Sequence, residues 1–281
     1  MIEKEKRQIG FCLRKLEQVD STNDEIKRLA REQAQHGTAV MAKRQTKGRG
    51  RRGRTWESSQ EDNIYLSVLL RPKLEPQYAS MVTLVAALSV AEILEGALGE
   101  SMSATPTEIS LDKKESKEEQ HSLQCQIKWP NDIVLQGKKI CGILTEMSME
   151  SGGSYFVVVG IGINVNTEQF PKELRHMATS LRKETGRCWD VSSLVERLLA
   201  TFDRHYHAFE QEKNLGFMLH AYNKRLANRG REVKVFTEQG EKIRFSQGID
   251  ETGALLVEDY AGNLEKIISG EVSVRGLYGY V

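Results

Sequence analysis

The chain has 281 residues, 40 Lys+Arg against 39 Asp+Glu, a formal net charge of +1, and is 39% hydrophobic and 28% charged. That length supports one large unit with a small one, or two medium units. The balanced charge excludes a partner chosen by global electrostatics, so attraction for anions must come from local clusters.

The four cysteines (Cys12, Cys125, Cys141, Cys188) form no C-x-x-C pair. A zinc ribbon or dithiol redox motif is therefore excluded, and a reducing compartment is expected. Residues 1–16 are charged and lack the apolar centre of a secretory signal. The most apolar stretch, 81–90, is about half a bilayer-spanning length. A cytoplasmic protein with no membrane partner is expected.

In chain order, the first helix signal is at 19–25. Thr22 with Glu25 three residues on reads as a capping box. Ile26, Leu29 and Ala30 supply an apolar stripe, and Gly37 ends the connection. Residues 38–43 read as a strand, and 64–70 as a buried strand. A helix over 77–94 would bury Met81, Leu84, Val85, Leu88 and Ala91. Residues 101–124 are polar with a mixed-charge run, and read as a surface insertion. Strands are expected at 126–129, 133–135, 140–147 and 155–165, with Gly137 and Gly152-Gly153 between them. A long helix follows at 191–209, capped by Asp190, and a short one at 217–226. After Arg229-Gly230 the apolar period changes to two, through Val233, Val235, Ile243, Phe245, Leu255 and Val257. That pattern is a small antiparallel barrel or sandwich. The expected division is 1–228 and 229–281.

Residues 43–54 hold seven cations in twelve positions, interleaved with Gly48, Gly50 and Gly53. Glycine allows close backbone approach, and successive N–H groups can form an anion-binding nest. Arginines add paired donors for carboxylate or phosphate. The segment is neither a Walker loop nor G-x-G-x-x-G. Three readings compete: a nucleic-acid-binding arginine-glycine segment, a nucleotide or carboxylate–phosphate site, and an inert solvated loop. Its place between a strand and Trp56 favours an ordered site.

Lys128-Trp129-Pro130-Asn131-Asp132 presents short polar groups at a strand edge after a proline turn. Asp132 could hold Mg²⁺, since hard cations take oxygen ligands; an ordinary turn is the alternative. Lys139 enters an apolar strand and could face a developing anion, or else snorkel at the surface. Glycines in Gly160-Ile161-Gly162-Ile163-Asn164 mark close approach by a ligand, or a bulge. His205 and His207 are i,i+2 on a helix and share no face, which argues against a metal pair.

Taken jointly, Ser21-Thr22-Asn23 before a helix, the run from Gln45 through Arg54 to Trp56, Lys128 to Asp132, Lys139-x-x-Gly142-Ile143-Leu144 and Gly160-x-Gly162-Ile163-Asn164 resemble the biotin protein ligases. The likeness spans about residue 19 to 275. It implies an α+β catalytic domain of the class II synthetase-like kind, with a small C-terminal SH3-like β domain. It implies biotin and ATP as substrates, Mg²⁺, and a biotin carboxyl carrier protein as acceptor. By the resemblance, Ser21, Thr22, Asn23 and Gln45 would line the biotin ring pocket, with Tyr65 as a wall. Gly48, Arg49, Gly50 and Arg51 would wrap the carboxylate and the adenylate phosphate, and Lys139 would touch the same carboxylate. Gly142, Gly160 and Gly162 would let strands approach biotin. Arg51, Arg54, Trp56, Asn131, Asp132, Asn164 and Arg275 would face ATP. Arg49, Arg51 and Lys139 would be the catalytic cations. A homodimer is compatible with the resemblance. Bifunctional members carry an N-terminal helix-turn-helix domain, and too few residues precede Ser21 for one. No operator binding is therefore expected. The rivals are a lipoate ligase-like acyltransferase and a nucleic-acid-binding module.

Overall fold

The computed structural model describes residues 7–103, 123–237, 240–268 and 273–276. Seven strands form the first sheet: β1 (Leu13–Val19), β2 (Ala39–Gln45), β3 (Ile64–Leu70), β4 (Cys125–Lys128), β5 (Asp132–Leu135), β6 (Lys138–Met149) and β7 (Tyr155–Ile163). Their order is β1-β2-β3-β7-β6-β5-β4. β1 and β2 run parallel, and every other pair is antiparallel. The helices are α1 (Thr22–Arg31), α2 (Val82–Ser103), α3 (Leu181–Thr185), α4 (Val191–Glu212) and α5 (Leu219–Arg225).

Alternation along the central strands sends side chains to two layers. Phe156 and Val158 join Ile26, Leu29 and Ala30 of α1. Val157 and Val159 join the larger cluster with Leu84 and Leu88 of α2 and Leu198 and Phe202 of α4. Burying each such side chain contributes about 1.5–3 kcal/mol. The helix expected over 77–94 runs on to Ser103. The segment Pro76–Glu100 is long and apolar enough to cross a membrane, but 83% of its apolar window is buried inside the protein. Its apolarity is accounted for by packing between the sheet and α4.

The start of α4 is as expected, with Ser192 N donating to Asp190 Oδ1 at 2.9 Å. The start of α1 is not. Its N-cap is Ser21, and no side chain caps it. The Thr22 hydroxyl turns instead to Gln45 Oε1 at 3.1 Å, and Glu25 accepts from Arg28 Nε at 2.8 Å. A half-buried amide opposite the helix start draws the hydroxyl inward, so the capping box does not form. His205 and His207 diverge, meeting Ser89 Oγ and Gln211 Nε2 respectively.

Five strands form the second sheet: β8 (Arg231–Thr237), β9 (Gly240–Ile249), β10 (Leu255–Glu258), β11 (Leu264–Ile267) and β12 (Ser273–Gly276). They are antiparallel in the order β11-β10-β9-β8-β12. Val233, Val235, Leu255, Val257 and Ile267 face inward, as the period of two requires, but Ile243 and Phe245 of the same expected set are exposed on β9. The two sheets are tied by Trp129, whose buried Nε1 donates to Gly253 O at 3.1 Å. The α+β layout with a small C-terminal sheet agrees with the sequence reading. Of the expected insertion 101–124, residues 104–122 lie outside the described residues.

Candidate functional site

The start of α1, the loop after β2, and strands β3, β6 and β7 meet around a cavity of about 50 Å³. Ser21, Thr22 and Asn23 enter it from α1, and Gln45, Arg49, Gly50, Arg51 and Trp56 from the loop side. Tyr65, Lys139, Gly142, Gly160 and Gly162 enter from the strands, with Asn131 beside them. Residues far apart in sequence thus share one cavity.

The floor is a chain of hydrogen bonds, half-buried at Gln45 and buried at Ser67. Thr22 N donates to Gln45 Oε1 at 2.8 Å, and Gln45 Nε2 donates to Ser58 Oγ at 2.9 Å. Ser67 Oγ lies 2.8 Å from Thr22 Oγ1 and 2.6 Å from Asn23 Oδ1. Asn23 lies over Gly160, where an added Cβ would stand 2.1 Å from Asn23 Oδ1. Tyr65 is buried and donates to Gln60 O at 2.9 Å. Burial pushes its hydroxyl up to about 12, against a smaller opposing pull from Asn63.

The basic loop is ordered by its own backbone and by carboxylates from elsewhere. Arg52 at φ +55° and Gly53 at φ +71° turn it, and Arg49 bridges Thr55 across the turn. Arg49 Nη2 lies 2.8 Å from Asp24 Oδ1 and 2.7 Å from Glu146 Oε2. Glu146 also accepts from Lys27 and Asn23. Burial opposes its ionisation, but these donors together with the Lys27 and Arg49 charges outweigh it and hold the carboxyl below its usual range. Glu146 therefore stays ionised above the ordinary glutamate value of 4.5, and the stability it contributes is lost as pH falls through its lower folded value.

Arg51 reaches across to the second motif. Its Nη1 donates to Asn131 Oδ1 at 2.8 Å, and Asn131 Nδ2 donates to Ile143 O at 3.0 Å. Burial pulls the Arg51 proton affinity down, partly offset by Asp132; a guanidinium stays charged regardless. Lys139 Nζ lies 2.7 Å from Asp132 Oδ1 and 5.2 Å from the centre of the Trp56 ring. The Lys139 backbone is pinned on both sides, donating to Met177 O and accepting from Thr179 N.

Trp56 occupies the space that two glycines leave. An added Cβ at Gly142 or Gly162 would stand 2.8 or 2.6 Å from atoms of its ring. The Trp56 Nε1–H is buried without a hydrogen-bond partner, an arrangement that costs about 1–3 kcal/mol.

Some expected residues lie elsewhere. Gly48 packs beneath the loop, where a Cβ would stand 2.4 Å from Trp56 O. Arg54 lines the neighbouring depression with Lys47 and Arg52. Asn164 Nδ2 donates to Thr179 O at 3.1 Å, which braces the segment pairing with Lys139 and places its side chain off the cavity wall. Trp129 serves the second sheet, as above. The Arg275 backbone lies in β12, and its side chain is outside the described residues. Among the described residues no group of three or more His, Cys, Asp or Glu could hold a metal alone. Ser58, Ser67, Asp24 and Glu146 belong to the site without any motif announcing them.

Residues 16–164 match the biotin/lipoate A/B protein ligase family, and residues 230–275 match the biotin protein ligase C-terminal domain. The biotin--[acetyl-CoA-carboxylase] ligase of Paracoccus denitrificans is 32% identical over 265 residues, covering 93% of this chain and 100% of that protein. The bifunctional ligase/repressor BirA of Bacillus spizizenii is 34% identical over 263 residues, covering 91% of this chain and 72% of that protein. The solved biotin protein ligase from Aquifex aeolicus, in complex with biotin and ATP, is 34% identical with a TM-score of 0.76. That match covers 95% of this chain and 99% of the other.

Proposed function

The chain belongs to the biotin/lipoate A/B protein ligase family, and on that premise we propose that it forms biotinyl-5'-AMP from biotin and ATP and passes biotin to one lysine of a biotin carboxyl carrier protein. The observation that carries this reading is that Arg51 and Lys139 line one cavity. A carboxylate is a poor acyl donor and must be activated first. The biotin carboxylate attacks the α-phosphorus of ATP, the bond to the bridging oxygen breaks, and pyrophosphate leaves with the electron pair. An unprotonated lysine amine of the carrier then attacks the acyl carbon, loses its proton, and AMP departs. No protein nucleophile is needed.

The work of the chain is to bring two acids together. At an effective dielectric of about 20, two unit charges 4 Å apart repel by about 4 kcal/mol. Arg49, Arg51 and Lys139 offset that repulsion electrostatically. Ser21, Thr22, Asn23, Gln45 and Tyr65 hold the biotin rings over Gly142, Gly160 and Gly162. Arg54, Asn131 and Asp132 face the nucleotide, and the catalytic unit 1–228 is followed by the smaller unit 229–281, whose Arg275 the resemblance assigns to the nucleotide. Mg²⁺ would neutralise phosphate charge when bound. It commonly takes one or two carboxylates together with phosphate oxygens, and Asp132, which holds Lys139 and Asn131, is the carboxylate that would serve it.

A cavity of about 50 Å³ is far below the 300–1,000 Å³ or so of small-molecule sites, and the Trp56 ring takes up part of the difference, lying over Gly142 and Gly162. Biotin entry therefore displaces Trp56 and lets its stranded N–H find a partner. Titration with biotin should change tryptophan emission, and Trp56→Phe should abolish the change. An unaltered wild-type emission would put biotin elsewhere.

A lipoate ligase-like activity is disfavoured by the match of 230–275 to the biotin protein ligase C-terminal domain. The four unpaired cysteines favour a reducing cytoplasm as the place of action. The test is to incubate protein, biotin, MgATP and a carrier domain and measure carrier mass. One added biotin on one lysine is expected, and an unmodified carrier would reject the function.

A further inference from the structure

Glu146 stands on β6 just beyond the cavity-lining Leu144, half-buried, and accepts from three donors. Lys27 Nζ reaches Oε1 at 2.7 Å, while Asn23 Nδ2 and Arg49 Nη2 reach Oε2 at 2.8 and 2.7 Å. An ionised carboxylate accepts at both ends and donates at neither. It therefore dictates how its neighbours face.

For Asn23 the consequence is a fixed amide. Its nitrogen donates to Glu146 Oε2 at 2.8 Å and, more weakly, to Leu144 O at 3.3 Å, both obligate acceptors, so its oxygen points to Ser67 and over Gly160. Ser67 carries one proton and stands between Asn23 Oδ1 at 2.6 Å and Thr22 Oγ1 at 2.8 Å. With an obligate acceptor in Asn23 Oδ1, that proton goes to Asn23, and the Thr22 hydroxyl is left to donate to Ser67 or Gln45. The donor pattern presented by the cavity floor is thus set jointly by the Leu144 carbonyl on its wall and, through the shorter charge-assisted bond, by Glu146 outside it. For Arg49 the consequence is a resting position. Asp24 and the same Glu146 oxygen that holds Asn23 keep its guanidinium at the rim.

We propose that Glu146 is a positioning residue for the acid substrate, orienting the Asn23 amide and holding Arg49 at the rim until an anion enters. The inference rests on the biotin-ligase reading above. Isolated surface ion pairs contribute little, but this carboxylate is one shared acceptor joining the pocket floor to the basic loop. A Gln in its place turns one end into a donor, which must then face either Lys27 or the Asn23 and Arg49 donors.

The experiment is steady-state kinetics and limited trypsin digestion of the full chain with Glu146→Gln. Losing a charge-assisted hydrogen bond that orients a binding group should raise the biotin KM about tenfold or more. With the chemistry untouched, kcat at saturating biotin should stay within about threefold. Trypsin should cut ligand-free enzyme within residues 47–54 faster than wild type. A merely structural role would lower the melting temperature without this split between KM and kcat. Should Glu146→Gln not fold, Glu146→Asp keeps the charge, shortens its reach, and should show both changes more weakly. A biotin KM within about twofold of wild type, or an unaccelerated loop cut, overturns the proposal. Wild-type enzyme without any biotin-dependent turnover would instead sink the ligase reading itself.

Discussion

Lys139→Ala is expected to slow biotinyl-adenylate formation by about 10²–10³, the usual consequence of losing one preorganised donor to developing charge. Lys139 is suited to this because its position is over-determined. Its backbone is fixed to Met177 and Thr179, and its ammonium is fixed by Asp132 at 2.7 Å. Removing it has a double effect: one cation is lost, and the Asp132 carboxylate loses the ammonium that partly offsets its charge beside the anion that must enter, keeping Asn131 as a donor. Single-turnover quench-flow with biotin and MgATP would read the rate directly. Transfer from preformed biotinyl-adenylate to the carrier should be far less affected, since that step expels AMP rather than joining two acids. A rate of adenylate formation within about tenfold of wild type would remove Lys139 from the chemistry.

Gly160→Ala should block the pocket. The new Cβ would meet Asn23 Oδ1 at 2.1 Å. Asn23 has no room to yield without breaking its bonds to Ser67 and Glu146. Overpacking of this kind costs about 1–3 kcal/mol, which read as lost biotin affinity corresponds to roughly tenfold to a hundredfold or more. Calorimetric titration of biotin would measure it. Gly99→Ala is the control: it sits in α2 with nothing within 4 Å of the added carbon, and should be neutral or stabilising by up to about 1 kcal/mol. Wild-type biotin affinity in Gly160→Ala would mean that the ring pocket lies away from β7.

The sequence was most legible where one physical demand dominated. β3 could be read to the residue because a strand buried at every position is an unbroken apolar run. Asp190 could be read as a cap because it precedes a long amphipathic stripe. The second sheet followed from its period of two. β1 was not legible: Leu13, Leu16 and Val19 are spaced by three, which mimics a helix, and an edge strand has too few buried positions to correct the impression. The capping box failed at Thr22 because tertiary partners outbid a local one.

The site followed the same logic. Glycines that admit a close neighbour and arginines in a turn carry their reason locally, so Arg51, Lys139, Gly142, Gly160 and Gly162 could be named from spacing and resemblance as residues that line one cavity. Glu146 could not. A glutamate between Thr145 and Met147 in a strand reads as a solvated face, and its meaning appears only when β6 lies beneath α1 and the basic loop. Asn164 misled for the converse reason. Its motif places it near the glycines, but its side chain turns to Thr179 and braces the strand of Lys139.

The most direct test of the central claim, that two converging cations let a carboxylic acid attack ATP, is isotope exchange between pyrophosphate and ATP without any carrier. Exchange that requires biotin and is not supported by lipoate is the result expected. Absence of biotin-dependent exchange, or exchange driven by lipoate alone, would contradict it.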